Sequence, residues 1–351
     1  MEDNWHFNLI KVYIGFFMKK IYIKERKRHK TDFQFFMHDF VDVCREAGFE
    51  EKKDLFPSYS WHIRAILRDI LIFIYRLIHR NLPFILRRKE ALVITANGVT
   101  LLDNAFPYYG KFEIVPMLWD VWPSTWERMY NSFKLLDVKT VFTTSRQVKE
   151  MINRDTSIHA YWIPEGINEK KYSNNTQLKN RKFDIFEMGR RSIDYHKIIE
   201  ELAHDEKIII AKTSNLNSDG TLNDKKIAYT NEELYNIISE TKIMVCFPQC
   251  DTNPGRAGNI ETLTLRYWEA MLSGCLMVGR APKELVDLIG YNPVIEVDWN
   301  NAQNQLHGIL TDIEEFQLLA DKNYKTAKES ASWCFRMHYF IEKLEKEGYK
   351  L

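Results

Sequence analysis

The sequence has few of the features that mark a secreted, membrane-spanning or nucleic-acid-binding protein. Its five cysteines are an odd number without a paired zinc-type spacing, so we expect reduced, buried thiols in a cytoplasmic protein. No uncharged apolar run is long enough to cross a bilayer, and an N-terminus with Glu2 and Asp3 does not fit a signal peptide. The formal net charge is only +1, so no overall field selects nucleic acid as a partner.

The composition that is present is typical of a large α/β protein. The chain has 351 residues, of which 45% are hydrophobic, enough for two domains with separate cores. Short apolar runs alternate with segments of helical periodicity in both halves, without internal repeats or low-complexity tracts. This alternation predicts two doubly wound domains built on parallel sheets.

The stretch 246–288 is the most informative part of the chain. The apolar run 243–247 predicts a buried strand, a polar loop follows to Asn259, and 275–278 predicts the next strand. The residues that recur between them at helical spacing are Glu261, Leu265, Trp268, Glu269 and Leu272. Such a unit places the start of its helix at the carboxyl edge of a parallel sheet, where backbone amides suit a phosphate.

Two glutamates accompany this predicted helix. Glu261 and Glu269 are separated by seven residues, and Ala270-Met271, Ser273-Gly274 and a strand follow the second one. This arrangement resembles the donor-binding element of GT-B glycosyltransferases with a Glu-x7-Glu motif, those of family 4 or group 1. In the other interpretation Glu261 caps the helix and Glu269 is a solvated surface residue.

The resemblance covers most of residues 90–345 in order, and it implies a GT-B fold of two Rossmann-like domains that face a central cleft. The expected parts are an acceptor-binding domain at 1–170, a nucleotide-sugar-binding domain at 182–330, and a terminal helix at 331–351 that packs back toward the first domain. The residues that match the turn closing the first domain of this family are Ile163, Pro164, Gly166, Ile167 and Asn168.

The resemblance also implies roles for single residues. Glu269 would accept hydrogen bonds from ribose hydroxyls, and Glu261 would hold hydroxyls of the donor sugar in the catalytic centre. Basic residues near the first strand of the second domain would bind the diphosphate, and the amides at the start of the helix would assist them. One backbone segment would hold the nucleobase. These donor-binding candidates are Arg191 or its neighbour Arg190, Lys197, Lys212, Thr264, Leu265, Tyr229 and Thr230.

The match departs from the family pattern at two positions. Thr264 and Ile198 stand where relatives carry glycine, which restricts the approach of the backbone to a diphosphate. A basic pair at the end of a strand is also commonly solvated, and this remains the other interpretation of Arg191 and Lys197.

In the first half, Asp120 is the catalytic candidate. The apolar run 112–118 predicts a strand, and Asp120 follows it between Trp119 and Trp122. A side chain at the carboxyl end of a strand faces the ligand crevice, so Asp120 could act as a general base or bind the acceptor hydroxyl. Relatives carry a histidine near this point, and a helix cap or a turn is the alternative role.

Residues 61–82 predict an amphipathic helix with basic flanks. Its apolar stripe consists of Ile63, Ile66, Leu67, Ile70, Leu71, Ile74, Leu77 and Ile78. Arg64, Arg68, Arg76 and Arg80 lie beside the stripe. Either the helix packs on a sheet as part of the core, or it lies on an anionic membrane at the inner face of the bilayer.

These patterns lead to one expected activity and two alternatives. We expect an enzyme that moves a sugar, of the hexosyltransferase type, from a nucleotide sugar to a glycan or lipid-linked acceptor in polysaccharide or glycolipid biosynthesis. The chain contains no Asp-x-Asp, so we expect no metal and no other cofactor. The family favours retention at the anomeric carbon. The alternatives are a sugar-nucleotide epimerase of the same fold and a non-catalytic membrane-associated adaptor.

Overall fold

Two parallel sheets organise the chain. The structure is a computed structural model that describes residues 18–25, 35–53, 61–81, 88–106, 108–189, 191–212, 214–216, 222–226 and 230–351. It divides into one unit of Met1–Pro164 with Arg336–Leu351 and a second unit of Glu165–Phe335. Within the residues described, no helix combines the length and the hydrophobicity that crossing a membrane requires.

The first unit contains a sheet of seven parallel strands. The strands are β1 (Lys19–Lys24), β2 (Glu51–Lys52), β3 (Glu90–Asn97), β4 (Phe112–Trp119), β5 (Thr140–Thr143), β6 (His159–Trp162) and β14 (Tyr349–Lys350). Their order is β14-β1-β3-β4-β5-β6, with β2 also paired to β1. The residues of β4 are all buried, as expected of a strand that helices cover on both faces.

Helices connect these strands, and the helix at Trp61–Asn81 confirms the one predicted over residues 61–82. They are α1 (Phe35–Glu46), α2 (Trp61–Asn81), α3 (Leu101–Ala105), α4 (Trp126–Leu136) and α5 (Arg146–Asp155), with single 3-10 turns at Tyr108–Gly110 and Pro123–Thr125. The later helix α14 (Trp333–Lys346) belongs partly to this unit. Its Phe340 ring packs against Phe40, Phe49 and Phe142, which fixes the C-terminal segment in the core of the first unit.

Helix α2 presents an apolar face to the outside. Ile66 is 61% exposed and Phe73 is 68% exposed, and Ile63, Ile70 and Leu77 are also exposed. Arg68 lies on a different side, because it forms ion pairs with Asp103 of α3 and with Asp69. Within the described part of the chain, these side chains do not occupy a core, so the core interpretation of the helix is wrong for them.

The second unit contains a sheet of five parallel strands and a separate hairpin. The strands of the sheet are β7 (Phe183–Glu187), β8 (Ile210–Lys212), β11 (Thr241–Cys246), β12 (Leu276–Gly279) and β13 (Val294–Glu296). Their order is β13-β12-β11-β7-β8. The antiparallel pair β9 (Ser214–Leu216) and β10 (Leu222–Lys226) stands apart from this sheet.

The helices of this unit lie on both faces of the sheet. They are α6 (Ile193–Asp205), α7 (Asn231–Ser239), α8 (Gln249–Thr252), α9 (Pro254–Ala257), α10 (Leu265–Leu272), α11 (Lys283–Ile289), α12 (Ala302–Thr311) and α13 (Gln317–Ser330), with 3-10 turns at Glu169–Lys171, Leu178–Asn180 and Ile313–Phe316. Ile185 packs in one core with α6, whereas its neighbour Phe186 packs in another core with α10. This alternation confirms the predicted doubly wound arrangement.

A hydrogen-bonded network around the half-buried Glu347 anchors the C-terminal segment to the first sheet. Glu347 accepts hydrogen bonds from Tyr161 Oη at 2.6 Å and from Thr140 Oγ1 at 3.4 Å, and its Oε2 lies 2.8 Å from Nδ1 of His159. Burial alone would raise the pKa of Glu347, but the hydrogen bonds from Tyr161 and His159 outweigh burial and hold the pKa below 4.5. The ionised form of Glu347 is therefore the form that stabilises the fold.

We predict that Glu347→Gln lowers the free energy of unfolding at pH 7 by about 1–3 kcal/mol, the cost of disrupting a half-buried charge-assisted network. A carboxylate with a depressed pKa stabilises the fold above the unfolded pKa and loses that effect as the pH falls through the folded value. The difference between wild type and variant should therefore shrink below about pH 4. Urea unfolding at pH 7 and pH 3 measures it, with the exposed Glu345→Gln as control, and a pH-independent difference would contradict the assignment.

Candidate functional site

The second sheet has a topological switch point between β7 and β11. From β7 the chain passes through α6 to β8 on one side, and from β11 it passes through α10 to β12 on the other side. Ile243 of β11 is in register with Ile185 of β7, so both strands end at the same edge. Open α/β sheets bind ligands in the crevice at such a point, so the residues that follow β7 and β11 define the candidate site.

The loop after β7 places one buried cation at this edge. Gly189 adopts a φ of +68°, a conformation that favours glycine, and Arg191 follows with a side chain that is only 1% exposed. The Arg191 Nε lies 3.5 Å from Oε2 of Glu187, the last residue of β7. Burial lowers the pKa of Arg191 while Glu187 opposes that effect. The alternative residue Arg190 lies outside the described residues.

A network of charged groups continues from Glu187 onto α6 and β8. Oε2 of Glu187 lies 2.6 Å from Nδ1 of His196, whose Nε2 lies 3.1 Å from Glu200. Lys212 is the register partner of Glu187 and lies 3.7 Å from the same Glu200 carboxylate. The structure therefore brings Arg191 and Lys212 to the carboxyl ends of adjacent strands.

Lys197 does not join this network. Its side chain is 66% exposed, and its Nζ lies 4.0 Å from Asp194 on the same helix. The predicted pair of cations after β7 is thus divided, with Arg191 buried at the end of the strand and Lys197 on the solvated surface of α6.

The start of α10 provides the other side of the site. Thr264 is the N-cap residue, and Leu265 and Arg266 are the first two residues of the helix. Thr264 makes no side-chain capping bond, and its buried Oγ1 has no hydrogen-bond partner in the structure. A methyl group placed on Gly189 would lie 3.5 Å from Nη2 of Arg266. The Arg266 guanidinium therefore lies beside the loop that follows β7.

Glu269 occupies a buried position one turn further along α10. Its Oε1 accepts a hydrogen bond of 3.0 Å from the Tyr172 hydroxyl, whose ring packs edge-on against Tyr235 of α7. Burial raises the pKa of Glu269 to about 7, although Tyr172 and Arg266 both act in the opposite direction. Glu269 is thus close to half-protonated near neutral pH, and it is not the solvated surface residue of the alternative interpretation.

Glu261 lies outside the helix in which its spacing seemed to place it. The helix begins at Leu265, so the expectation that Glu261 continues the helical periodicity is wrong. Its Oε2 accepts a 3.0 Å hydrogen bond from the amide of Lys283, the first residue of α11, and its Oε1 pairs with Arg280. Glu284 in return accepts from the amide of Leu263. These contacts hold residues 261–263 as an extended segment against α11.

The remaining three candidates lie in different parts of the chain. Thr230 is the N-cap of α7 and forms a capping box with Glu233, while Tyr229 lies outside the described residues. Asp120 follows β4 of the first unit in a left-handed conformation with a φ of +47°. Its side chain is exposed between the buried residues Trp119 and Trp122, so a strained turn presents a carboxylate at the end of that strand.

Structural comparison decides which fold this is. HepE from Anabaena, solved with UDP and glucose, matches with a TM-score of 0.58 at 11% identity. The match covers 93% of this chain and 100% of HepE. Sucrose-phosphate synthase from Thermosynechococcus elongatus has a TM-score of 0.57 at 12% identity, with 94% and 100% covered. The chain has the GT-B fold. AviGT4, a glycosyltransferase involved in avilamycin A biosynthesis, also matches, with a TM-score of 0.55 at 11% identity over 94% and 98%.

The sequence comparisons add nothing to the GT-B assignment, since no family model and no curated protein matches the chain.

Three residues that lie beside the candidate site residues were missed by sequence reasoning. Tyr172 binds Glu269, Arg280 binds Glu261, and Arg266 lies at the loop of Gly189. Arg266 carried a signal that could have been used, because a cation in the first turn of a helix opposes the helix dipole. Tyr172 and Arg280 gave no such signal, since both contacts depend on how distant segments pack.

We predict that the raised pKa of Glu269 makes the protein less stable as the pH rises from 5 to 8. A carboxyl group that is more easily protonated in the folded than in the unfolded state stabilises the fold at low pH and loses that effect through the folded pKa. Glu269→Gln should abolish this loss, which amounts to about 3 kcal/mol for the shift from 4.5 to about 7. Thermal unfolding of wild type, Glu269→Gln and the exposed control Glu201→Gln measures it. If the stability of all three proteins changed equally with pH, the buried carboxyl group of Glu269 would not be the cause.

Proposed function

We propose that the protein is a glycosyltransferase that moves a sugar from a nucleotide sugar to an acceptor hydroxyl. One observation carries the proposal: a buried arginine follows β7, and the start of a helix and a buried glutamate follow β11, the two strands at the switch point of the second sheet. These are Arg191, the Thr264–Leu265 segment and Glu269. Such groups complement the diphosphate and the ribose of one ligand.

The proposed chemistry is electrostatic assistance to the leaving nucleoside diphosphate. Negative charge builds up on the diphosphate as the bond to the sugar breaks, and a fixed cation and helix amides stabilise that charge. Arg191 supplies the cation, and the first amides of α10 supply the dipole. We propose that this centre works without a metal ion or other cofactor, so EDTA should leave the transfer rate unchanged.

Glu269 is proposed to bind ribose hydroxyls after its bond to Tyr172 opens. Glu269 is the fifth residue of α10, so it lies about one turn from the helix start that would bind the diphosphate. Glu261 is proposed to hold hydroxyls of the donor sugar, with Arg280 and the amide of Lys283 fixing its orientation. Thr230 and Tyr229 are proposed to hold the base, and Lys212 to add charge near the diphosphate.

For the acceptor side, we propose Asp120 as the group that binds or deprotonates the acceptor hydroxyl. Its exposed carboxylate sits at the carboxyl end of β4, the edge at which doubly wound sheets bind ligands. We propose a glycan or lipid-linked acceptor in polysaccharide or glycolipid biosynthesis and retention at the anomeric carbon.

One observation favours a second candidate, a non-catalytic adaptor. Both oxygens of Glu261 are engaged by Arg280 and Lys283, so a donor sugar would have to share this carboxylate. An adaptor of this fold would keep those contacts and bind no nucleotide sugar. The two candidates therefore differ in a measurable property, the binding and turnover of donors.

A panel of nucleotide sugars in thermal-shift and hydrolysis assays tests the proposal. HepE was solved with UDP and glucose, so UDP-glucose is a sensible first probe. A donor that stabilises the protein and is hydrolysed or transferred supports the glycosyltransferase. A changed sugar on an intact nucleotide would identify an epimerase, and no binding across the panel would favour the adaptor.

We predict that Glu269→Ala weakens binding of the accepted nucleotide by about 10- to 100-fold, since the ribose loses a charge-assisted hydrogen-bond acceptor in a buried site. Isothermal titration with the nucleotide measures the change, and Glu201→Ala serves as the surface control. Unchanged affinity in Glu269→Ala would remove this residue from the ribose site.

We also propose that α2 lies on an anionic membrane surface. Its exposed apolar face would enter the headgroup region, and Arg76, which is exposed on the same helix, would contact anionic lipid. The replacement of Ile66, Ile70 and Phe73 by Gln should abolish flotation with phosphatidylserine vesicles. Leu318→Gln is the matched control because Leu318 is 82% exposed on α13. Flotation that survives the triple change would contradict a membrane role for α2.

A further inference from the structure

We propose that Arg266 binds the diphosphate of the donor, in the role that the sequence pattern assigned to Lys197. The inference rests on the proposed function, because it names a further ligand of the same nucleotide-sugar site. The inference also extends the proposed function. Beside Arg191, the second cation at the diphosphate would come from the helix after β11 rather than from the helix after β7.

The position of Arg266 in its helix is electrostatically unfavourable. Arg266 is the second residue of α10, and the first turn of that helix contains no acidic residue. A cation near a helix N-terminus interacts unfavourably with the macrodipole, whereas an anion there interacts favourably. A bound anion reverses this situation, since it interacts favourably with both the guanidinium and the helix start.

The geometry directs Arg266 toward the loop after β7. Nη2 of Arg266 lies 3.5 Å from the position of a methyl group on Gly189. Gly189 is the second residue after β7, and Arg191 follows two residues later. Arg191 thus lies in the loop that follows β7, and Arg266 lies in the first turn of the helix that follows β11. Both segments flank the switch point, the place where the fold itself favours a ligand.

A hydroxyl group adds an independent sign that a polar ligand is missing beside Arg266. Oγ1 of Thr264 is buried and makes no hydrogen bond in the structure, although Thr264 caps the helix that carries Arg266. A buried hydroxyl without a partner is destabilising, because it has lost its hydrogen bonds to water. A phosphate oxygen at the helix start would accept a hydrogen bond from it.

Lys197 lacks each of these properties. It is largely exposed, lies beside Asp194, and is the fifth residue of α6 rather than part of the first turn of its helix. An arginine also suits a diphosphate better than a lysine, because its planar fork can bond two oxygens at once.

The test measures binding of UDP, GDP, ADP and inorganic pyrophosphate, and of the corresponding nucleosides, by isothermal titration. Arg266→Gln should weaken the accepted nucleoside diphosphate and pyrophosphate by about 10- to 100-fold, the effect of one lost charge-assisted contact. Affinity for the nucleoside should stay the same. Arg266→Lys should restore part of the loss, and Lys197→Gln, which removes one charge from the same unit, should change affinity less than about twofold.

The outcomes separate this inference from the proposed function. If the wild type binds none of the diphosphates, the proposed function fails and Arg266 has no donor to bind. If the wild type binds a diphosphate and Arg266→Gln binds it equally well, only the role of Arg266 is overturned. An equal loss of nucleoside and diphosphate binding would also overturn it, because it would indicate a collapsed site. Thermal unfolding checks that Arg266→Gln remains folded.

Discussion

The parallel pairing of β7 with β11 is the constraint on which the candidate site depends. Residues 188–240 separate the two strands in sequence, yet their register brings Ile243 beside Ile185 and aligns their carboxyl ends. The helices that follow the two strands, α6 and α10, pack on opposite faces of the sheet. Gly189 and Arg266 approach each other only as a result of that pairing.

The site concentrates charged groups that burial would otherwise disfavour. Glu187 and Arg191 have side chains that are each 1% exposed, and Glu269 is buried against Tyr172. Removing a charge from water costs several kcal/mol, so such groups persist where they are paired or where function maintains them. Glu187 is compensated by His196 and Arg191. Glu269 is compensated only in part, and this explains why its pKa lies near neutrality.

Sequence reasoning recovered the architecture because the apolar periods of the strands and helices are local. The strand 112–118 and the helix 61–82 were predicted within one residue of their observed bounds, Phe112–Trp119 and Trp61–Asn81. The strand predicted at 243–247 is observed at Thr241–Cys246, so it starts two residues earlier. Sequence reasoning failed at Glu261, whose spacing matches a helix although the amides of Leu263 and Lys283 pair with Glu284 and Glu261 instead. That exchange joins two segments 21 residues apart, and a periodic pattern contains no information about it.

The contacts of Glu261 depend in turn on a close approach that only glycine permits. Gly279 ends β12 with a φ of +143°, and a methyl group there would lie 2.0 Å from the carbonyl oxygen of Cys246. The same carbonyl accepts a 2.9 Å hydrogen bond from the amide of Arg280. The β11–β12 pair therefore fixes the backbone of Arg280, and its side chain reaches Asp251 and Glu261 from there. A larger residue at 279 would displace Arg280, so the orientation of Glu261 is set by the packing of two strands rather than by the helix that follows it.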